Sequence, residues 1–265
     1  MTECRRLPKG LLCRFEILFF TMTNKVKTVC IIGKGNVAWH YERRFREKGF
    51  VCNAFSAREE VPKQCHEADL VVIAVKDEVI AEVVGKLKPI KGILVHTSGF
   101  ISTDCLKEAA ECYGSLYPLQ TLKKGKETDF DTIPLCTYGN TDTVKEILKE
   151  LASCLSSINY ELSDNQRKSL HLAAVFCNNF PNHLFGIAKS ILDKENIPFS
   201  TLFPLMDTTV SRAKLFNPFE VQTGPAIRKE QSIMEQHKEK LGKEEKEIYE
   251  LLSRRIIEYH EKNEK

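Results

Sequence analysis

The apolar positions of this chain change their rhythm part-way along. Over residues 26–162, short β-branched runs alternate with stretches of helical period: TVCIIG, FVCNAFSA, ADLVVIAVKD, GILVHTSG, GSLYPLQT, IPLCTYG and INYELS each read as a strand. LVVIAV is apolar without alternation, the mark of a strand covered on both faces. Strands separated by helix-length segments predict an α/β fold with a doubly wound, mainly parallel sheet. After residue 162 the period is helical: NQRKSLHLAAVFCNNFPNHLFGIAKSILDKEN, FSTLFPLMDTTVSRAKLF and GPAIRKEQSIMEQHKEKL, then a charged tail with Ile248, Leu251, Leu252, Ile256 and Tyr259 on one stripe. The expected organisation is a sheet domain over residues 26–162 and an all-helical C-terminal domain over residues 163–265, with no internal repeat and no flexible linker.

Residues 1–25 stand outside this pattern. A basic start and a short apolar run imitate a signal peptide, but Arg14 and Glu16 interrupt the run and no small-residue cleavage site follows. Met22 precedes the first strand by only a few residues, so the segment is expected to be a dispensable extension, without export or membrane anchoring. Charge adds no partner: Lys plus Arg number 39 against Asp plus Glu 36, too balanced to draw the chain to nucleic acid or to an acidic surface. The 10 cysteines lie in apolar runs without CxxC pairs, which reads as free thiols of a reducing, cytoplasmic setting and argues against a metal site.

The first strand stops at GKGNVA, residues 33–38, and the chain restarts as a helix. This is the context that the dinucleotide-binding turn requires. Gly33 permits the tight turn, Gly35 lets a pyrophosphate approach the backbone, and Ala38 replaces the third glycine where helix and strand touch; Lys34, Asn36 and Val37 complete the candidate cradle. The free amides and positive end of the helix would hold the phosphates. At the tip of the second strand, where NAD would meet a carboxylate, the sequence reads Phe55-Ser56-Ala57-Arg58. Ser56 and Arg58 suit a 2′-phosphate, which favours NADP over NAD as cofactor. Ala74, Val75 and Lys76 end the third strand, and His96, Thr97 and Ser98 end the fourth. Thr97 is expected on the cofactor and Ser98 on the substrate, although Thr and Ser also cap turns.

The set GKGNVA, AVKDEVI, VHTSG, YGSLYPLQT, QRKSLHLAAVFCNNFPNHL and VQTGPAIR, spanning about residues 26–259, resembles a family of Rossmann-like NADP oxidoreductases without a settled substrate, in which a helical domain of unknown function follows the nucleotide domain. More distantly it is similar to pyrroline-5-carboxylate reductase, ketopantoate reductase, 3-hydroxyisobutyrate dehydrogenase and deazaflavin-dependent NADP reductases. The resemblance implies a two-domain Rossmann-type fold and NADP binding, and brings no substrate. Two departures matter. Trp39, Tyr41 and Glu42 stand where the family's first helix has small or aliphatic residues, which bears on how closely that helix approaches the sheet. A segment usually reading Glu-Thr-x-x-Lys here reads Thr208-Thr209-Val210-Ser211-Arg212; an Arg does not replace a proton-donating Lys, though it binds a carboxylate.

At 100° per residue His171, Val175, Asn178 and Asn182 share a stripe, with Asn179 and His183 beside it. Amides on an otherwise apolar helix need partners or a ligand cleft. In the related dehydrogenases a helix in this position offers a Lys and an Asn to the reacting carbon. His171 and Asn178 are their nearest counterparts and the catalytic candidates, His171 as general acid or base, against the alternative of a core histidine bonded to backbone. Asn182, Arg212, Gln222 and Arg228 join Ser98 as substrate-binding candidates, with Thr223 beside them. The expectation is an NADP-dependent oxidoreductase of a small carbonyl, imine or hydroxyacid, its substrate against the His171/Asn178 stripe between the domains. The alternative is a non-catalytic NADP-binding sensor. Apolar helical faces in excess of one small domain's needs predict a homodimer through the helical domain.

Overall fold

The computed structural model describes residues 26–87 and 89–263; the expected extension over residues 1–25 lies outside the described residues. All seven expected strands form: β1 (Thr28–Ile32), β2 (Val51–Phe55), β3 (Leu70–Ile73), β4 (Ile90–His96), β5 (Ala110–Pro118), β6 (Leu135–Gly139) and β7 (Asn159–Glu161). They make one sheet in the order β2-β1-β3-β4-β5-β6-β7. Every pairing is parallel except β5 with β6, whose connection over residues 119–134 carries only a single 3₁₀ turn. The order reverses at β1, the switch point beyond which such sheets bind ligands. The chain is therefore a Rossmann-type α/β domain followed by a helical region.

Alternation within β1 builds both halves of the core. Val29 and Ile31 point to the face covered by α1 (Asn36–Glu47) and α4 (Asp142–Leu155), where they meet Ala38, Tyr41, Phe45 and Leu148. Cys30 and Ile32 point to the opposite face, with Cys65 of α2 (Lys63–His66) and with Ile80 and Val83 of α3 (Asp77–Lys86). The long side chains of the first helix do not hold it off the sheet. Ala38 is fully buried against β1, and Tyr41 lies in the core, stacked on Phe45, with its hydroxyl donating to the Leu116 carbonyl at 3.0 Å.

Two compact units divide the chain, one ending at Cys177 and one starting at Asn178. The first closes with α5 (Asp164–Ala174), which begins in a capping box between Ser163 and Gln166. From Val175 to Asn179 the helical run widens into a π-turn ahead of Pro181, whose ring would clash with the Cys177 carbonyl in a regular helix. The wider turn shifts the helical register, so the stripe drawn at 100° per residue from His171 through Asn182 does not carry across it. The second unit contains α6 (Phe180–Lys194), α7 (Phe203–Leu215), α8 (Gln231–Glu239) and α9 (Lys243–Asn263). Its internal ties include Phe219 stacked on Tyr259 at 3.9 Å and His237 Nδ1 bonded to Tyr249 Oη at 3.0 Å. Among its described residues only Ala226 and Met234 are buried.

Candidate functional site

The turn after β1 is built tightly. Gly33 has φ +142° and packs so close to the end of β3 that a Cβ would lie 2.1 Å from the Ala74 carbonyl oxygen. Its amide donates to the Phe55 carbonyl at 2.8 Å, tying the turn to β2. Gly35 is the N-cap of α1 and has no side chain to cap the helix; a Cβ there would enter open space. The amides of Asn36, Val37 and Ala38 precede the first intrahelical bond, Trp39 N to Gly35 O at 3.1 Å, and point out of the helix end. A bare, open approach to outward amides is what a pyrophosphate requires, so these residues fit a dinucleotide.

Lys34 is exposed beside this turn and shares a shallow groove with Gly33, Ala38, Trp39, Glu42, Ala54 and Lys124. Lys124 comes from the β5–β6 connection, which is tied to α1 where its amide donates to Asn36 Oδ1 at 3.0 Å and where the Lys123 carbonyl meets His40 Nε2 at 3.2 Å. Sequence reasoning missed Lys124, since 88 residues separate it from Asn36. A roomier cavity flanks α1, between Trp39 and Phe130, but its charges are engaged: Arg43 lies over the Trp39 ring and Arg44 is clasped by Asp131.

At the tip of β2, Ser56 Oγ accepts the Arg58 amide at 3.3 Å and shapes a turn. Arg58 is exposed and, among the described residues, forms no ion pair, although Glu59 and Glu60 follow it. At the tip of β3, Val75 is half-buried and Lys76 caps α3. Thr97, past β4, ties back to β3, its amide donating to the Ile73 carbonyl at 3.1 Å. Ser98 Oγ accepts the amides of Phe100 and Ile101, each at 3.0 Å, and keeps its hydroxyl proton to donate. His96 is fully buried; burial, seconded by the Arg167 guanidinium, pushes its imidazole down to about 4, so it is neutral at physiological pH.

Beyond these strand ends stands His171. Its place is set one helical turn earlier by Arg167, which is completely buried and donates to Ser115 Oγ at 2.9 Å, to the Ile101 carbonyl and to Asp164 at 2.7 Å. Asp164 in turn accepts from Ser102 Oγ and from the Thr103 amide. Burial alone would raise its carboxyl, but these hydrogen bonds and the Arg167 charge hold it below the usual carboxylate range. The anchored helix brings His171 Nδ1 to 3.1 Å from the hydroxyl of Tyr117 on β5. Both rings crowd Gly99: a Cβ there would lie 2.6 Å from His171 Nδ1 and 2.9 Å from Tyr117 Cζ. Burial pushes the Tyr117 phenol up to about 12. Sequence reasoning passed over Tyr117 and Arg167; the signals were a tyrosine at the same sheet end as the VHTSG tip and an arginine four residues before His171.

In the second unit, Arg212 and Gln222 line one shallow depression with Phe216, Glu220, Val221 and Thr223. Arg228 is held by Glu230 through two bonds of 2.9 Å. Asn178 and Asn182 are exposed. Among the described residues no cluster of His, Cys, Asp or Glu has the makings of a metal site, and no helix is long and apolar enough to cross a membrane.

Residues 133–256 match the family described as a domain of unknown function, DUF2520. The crystal structure of a Bacteroides fragilis protein provisionally named an NADP oxidoreductase is 33% identical, aligns over 88% of this chain and 99% of its own, and superposes with a TM-score of 0.76. The chain belongs to this family. With two further solved structures the likeness is one of fold: a Thermotoga maritima protein is 21% identical over 89% of this chain and 100% of its own at a TM-score of 0.63. A reductive aminase from Aspergillus terreus, solved with NADPH and ethyl-5-oxohexanoate, is 12% identical over 88% of this chain and 94% of its own at 0.66. No curated protein matches the sequence.

Proposed function

We propose that this member of the family is an NADP-dependent oxidoreductase acting on a small carbonyl, imine or hydroxyacid. The observation that carries the reading is the convergence, at one end of the sheet, of the Gly33–Ala38 cradle with the strand tips and the Tyr117–His171 pair. When bound, the nicotinamide supplies the hydride chemistry. The chain supplies the rest. The amides of Asn36, Val37 and Ala38, with Lys34 and Lys124, hold the pyrophosphate; Ser56 and Arg58 take the 2′-phosphate; Ala74, Val75, Lys76 and Thr97 frame the dinucleotide. Ser98 and His171 offer hydrogen bonds to the substrate's reacting end, and Asn178 is retained as a second catalytic candidate. Asn182, Arg212, Gln222 and Arg228 are the second unit's substrate-binding candidates.

The name carried by the 33% identical relative supports NADP as the cofactor. Free cysteines throughout the described residues suit a reducing compartment, and we place the protein in the cytoplasm. A test is fluorescence titration with NADPH, then a turnover screen over ketones, imines and hydroxyacids at fixed NADPH or NADP. Binding with turnover on one class supports the reading. Binding without turnover on any favours a non-catalytic NADP-binding sensor, a reading that draws on Arg212 standing where the family's pattern has Lys.

We also propose a homodimer through the second unit. Leu205 and Leu215 on α7 are 63% and 75% exposed, and Phe219 in the turn after it is 53% exposed, apolar surface that a partner would cover. A second copy of the chain is the partner, as closed two-fold association is the common solution for soluble proteins.

A further inference from the structure

We propose that Tyr117 is a positioning residue that holds the His171 imidazole as its Nε2–H tautomer, so that Nε2 presents a hydrogen-bond donor to the substrate's carbonyl or imine heteroatom. The inference rests on the reductase reading for its consequence, but its geometry belongs to the first unit alone. The Tyr117 hydroxyl lies 3.1 Å from His171 Nδ1 and has no other hydrogen-bond partner among the described residues. If Nδ1 carried the proton, the phenol oxygen would accept it and the phenol's own proton would be left without a protein partner at a half-buried position, at a cost in free energy. With the phenol donating, Nδ1 is the acceptor and the ring's single proton sits on Nε2. The phenol keeps its proton across the physiological range, because burial pushes it up to about 12.

The surroundings hold this pair in one arrangement. Tyr117 is fixed by the β5 pairing with Cys136 on β6, and His171 by the buried Arg167 and Asp164 of its own helix. Gly99 supplies the room, since any side chain would strike both rings. His171 itself is half-buried and lies against Gly99, just past the end of β4, at the sheet end where a bound dinucleotide would lie.

The experiment is ¹H–¹⁵N correlation NMR of the full chain, selectively labelled at histidine, reading the His171 tautomer in the parent protein and in Tyr117→Phe at pH 8. The His171 resonances are assigned by their loss in His171→Gln. The proposal expects the Nε2–H form in the parent and a mixture of tautomers in Tyr117→Phe, with NADPH affinity unchanged within about twofold. Once a substrate is in hand, kcat should fall about tenfold with KM little changed. An Nδ1–H form in the parent, or an unaltered tautomer in the variant, overturns it. The parent spectrum alone decides if the variant fails to fold. Absence of NADPH binding in the parent protein would strike the reductase reading and leave the tautomer result standing.

Discussion

Gly33 and Gly35 are glycines for opposite reasons, and this separates stability from binding. Gly33 meets the Ala74 carbonyl and has φ +142°, so Gly33→Ala must push β1 and β3 apart. A loss of at least about 2 kcal/mol in unfolding free energy is expected, read by chemical denaturation. Gly35 has an ordinary φ of −78° and open space at its Cβ position. Gly35→Ala should keep the melting temperature within a few degrees while weakening NADPH by about tenfold or more, about 1.4 kcal/mol. Equal effects of the two on stability would remove the assignment of that space to a pyrophosphate. Arg58, exposed and without an ion pair among the described residues, makes a third case. Arg58→Ala should weaken NADPH about 10- to 100-fold and leave NADH nearly unchanged, as expected for one or two charge-assisted hydrogen bonds. An unchanged NADPH-to-NADH ratio in a titration of both would show that Arg58 does not read the 2′-phosphate.

At the scale of elements, α5 holds the candidate residue His171 in place because its first turns are fixed to the sheet through Asp164 and Arg167. Breaking that anchor by Asp164→Ala leaves the Arg167 charge buried without its carboxylate, and about 3–5 kcal/mol of stability should be lost. Asp164 also gives stability a pH dependence of known sign. Its carboxyl is held below the unfolded value of about 3.9, so its contribution is complete above that pH and is lost as pH falls through the lower folded value. Denaturation midpoints of the parent and of Asp164→Asn should therefore converge in acid, and a constant gap down to pH 2 would contradict the assignment. The strands were legible because apolar runs between Gly-rich and helical segments are a local signal, and so was the tight turn from β1 into α1 at Gly33–Ala38, which lies within six consecutive residues. The π-turn was not, because Pro181 marks an irregularity without giving its form. Nor was the Tyr117–His171 pair: 54 residues separate its members, and only the β5 register and the Arg167 anchor join them.

For the molecule as a whole, the second unit poses the question of partnership. Only Ala226 and Met234 are buried among its described residues, so its helices hold little of the apolar interior that stabilises an independent domain. Light scattering of the full chain at micromolar concentration should give twice the 30.3 kDa chain mass, and Leu205→Glu with Leu215→Glu should shift it toward one. A parent protein of single mass would exclude the dimer. The central claim, that the end of the sheet at Gly33–Ala38 is built for NADP, is tested most directly by calorimetric titration of NADPH and NADH into the full chain. The account predicts saturable NADPH binding at one site per chain, in the micromolar range and tighter than NADH. No heat of binding from either dinucleotide at millimolar concentration, or an equal affinity for both, would contradict it.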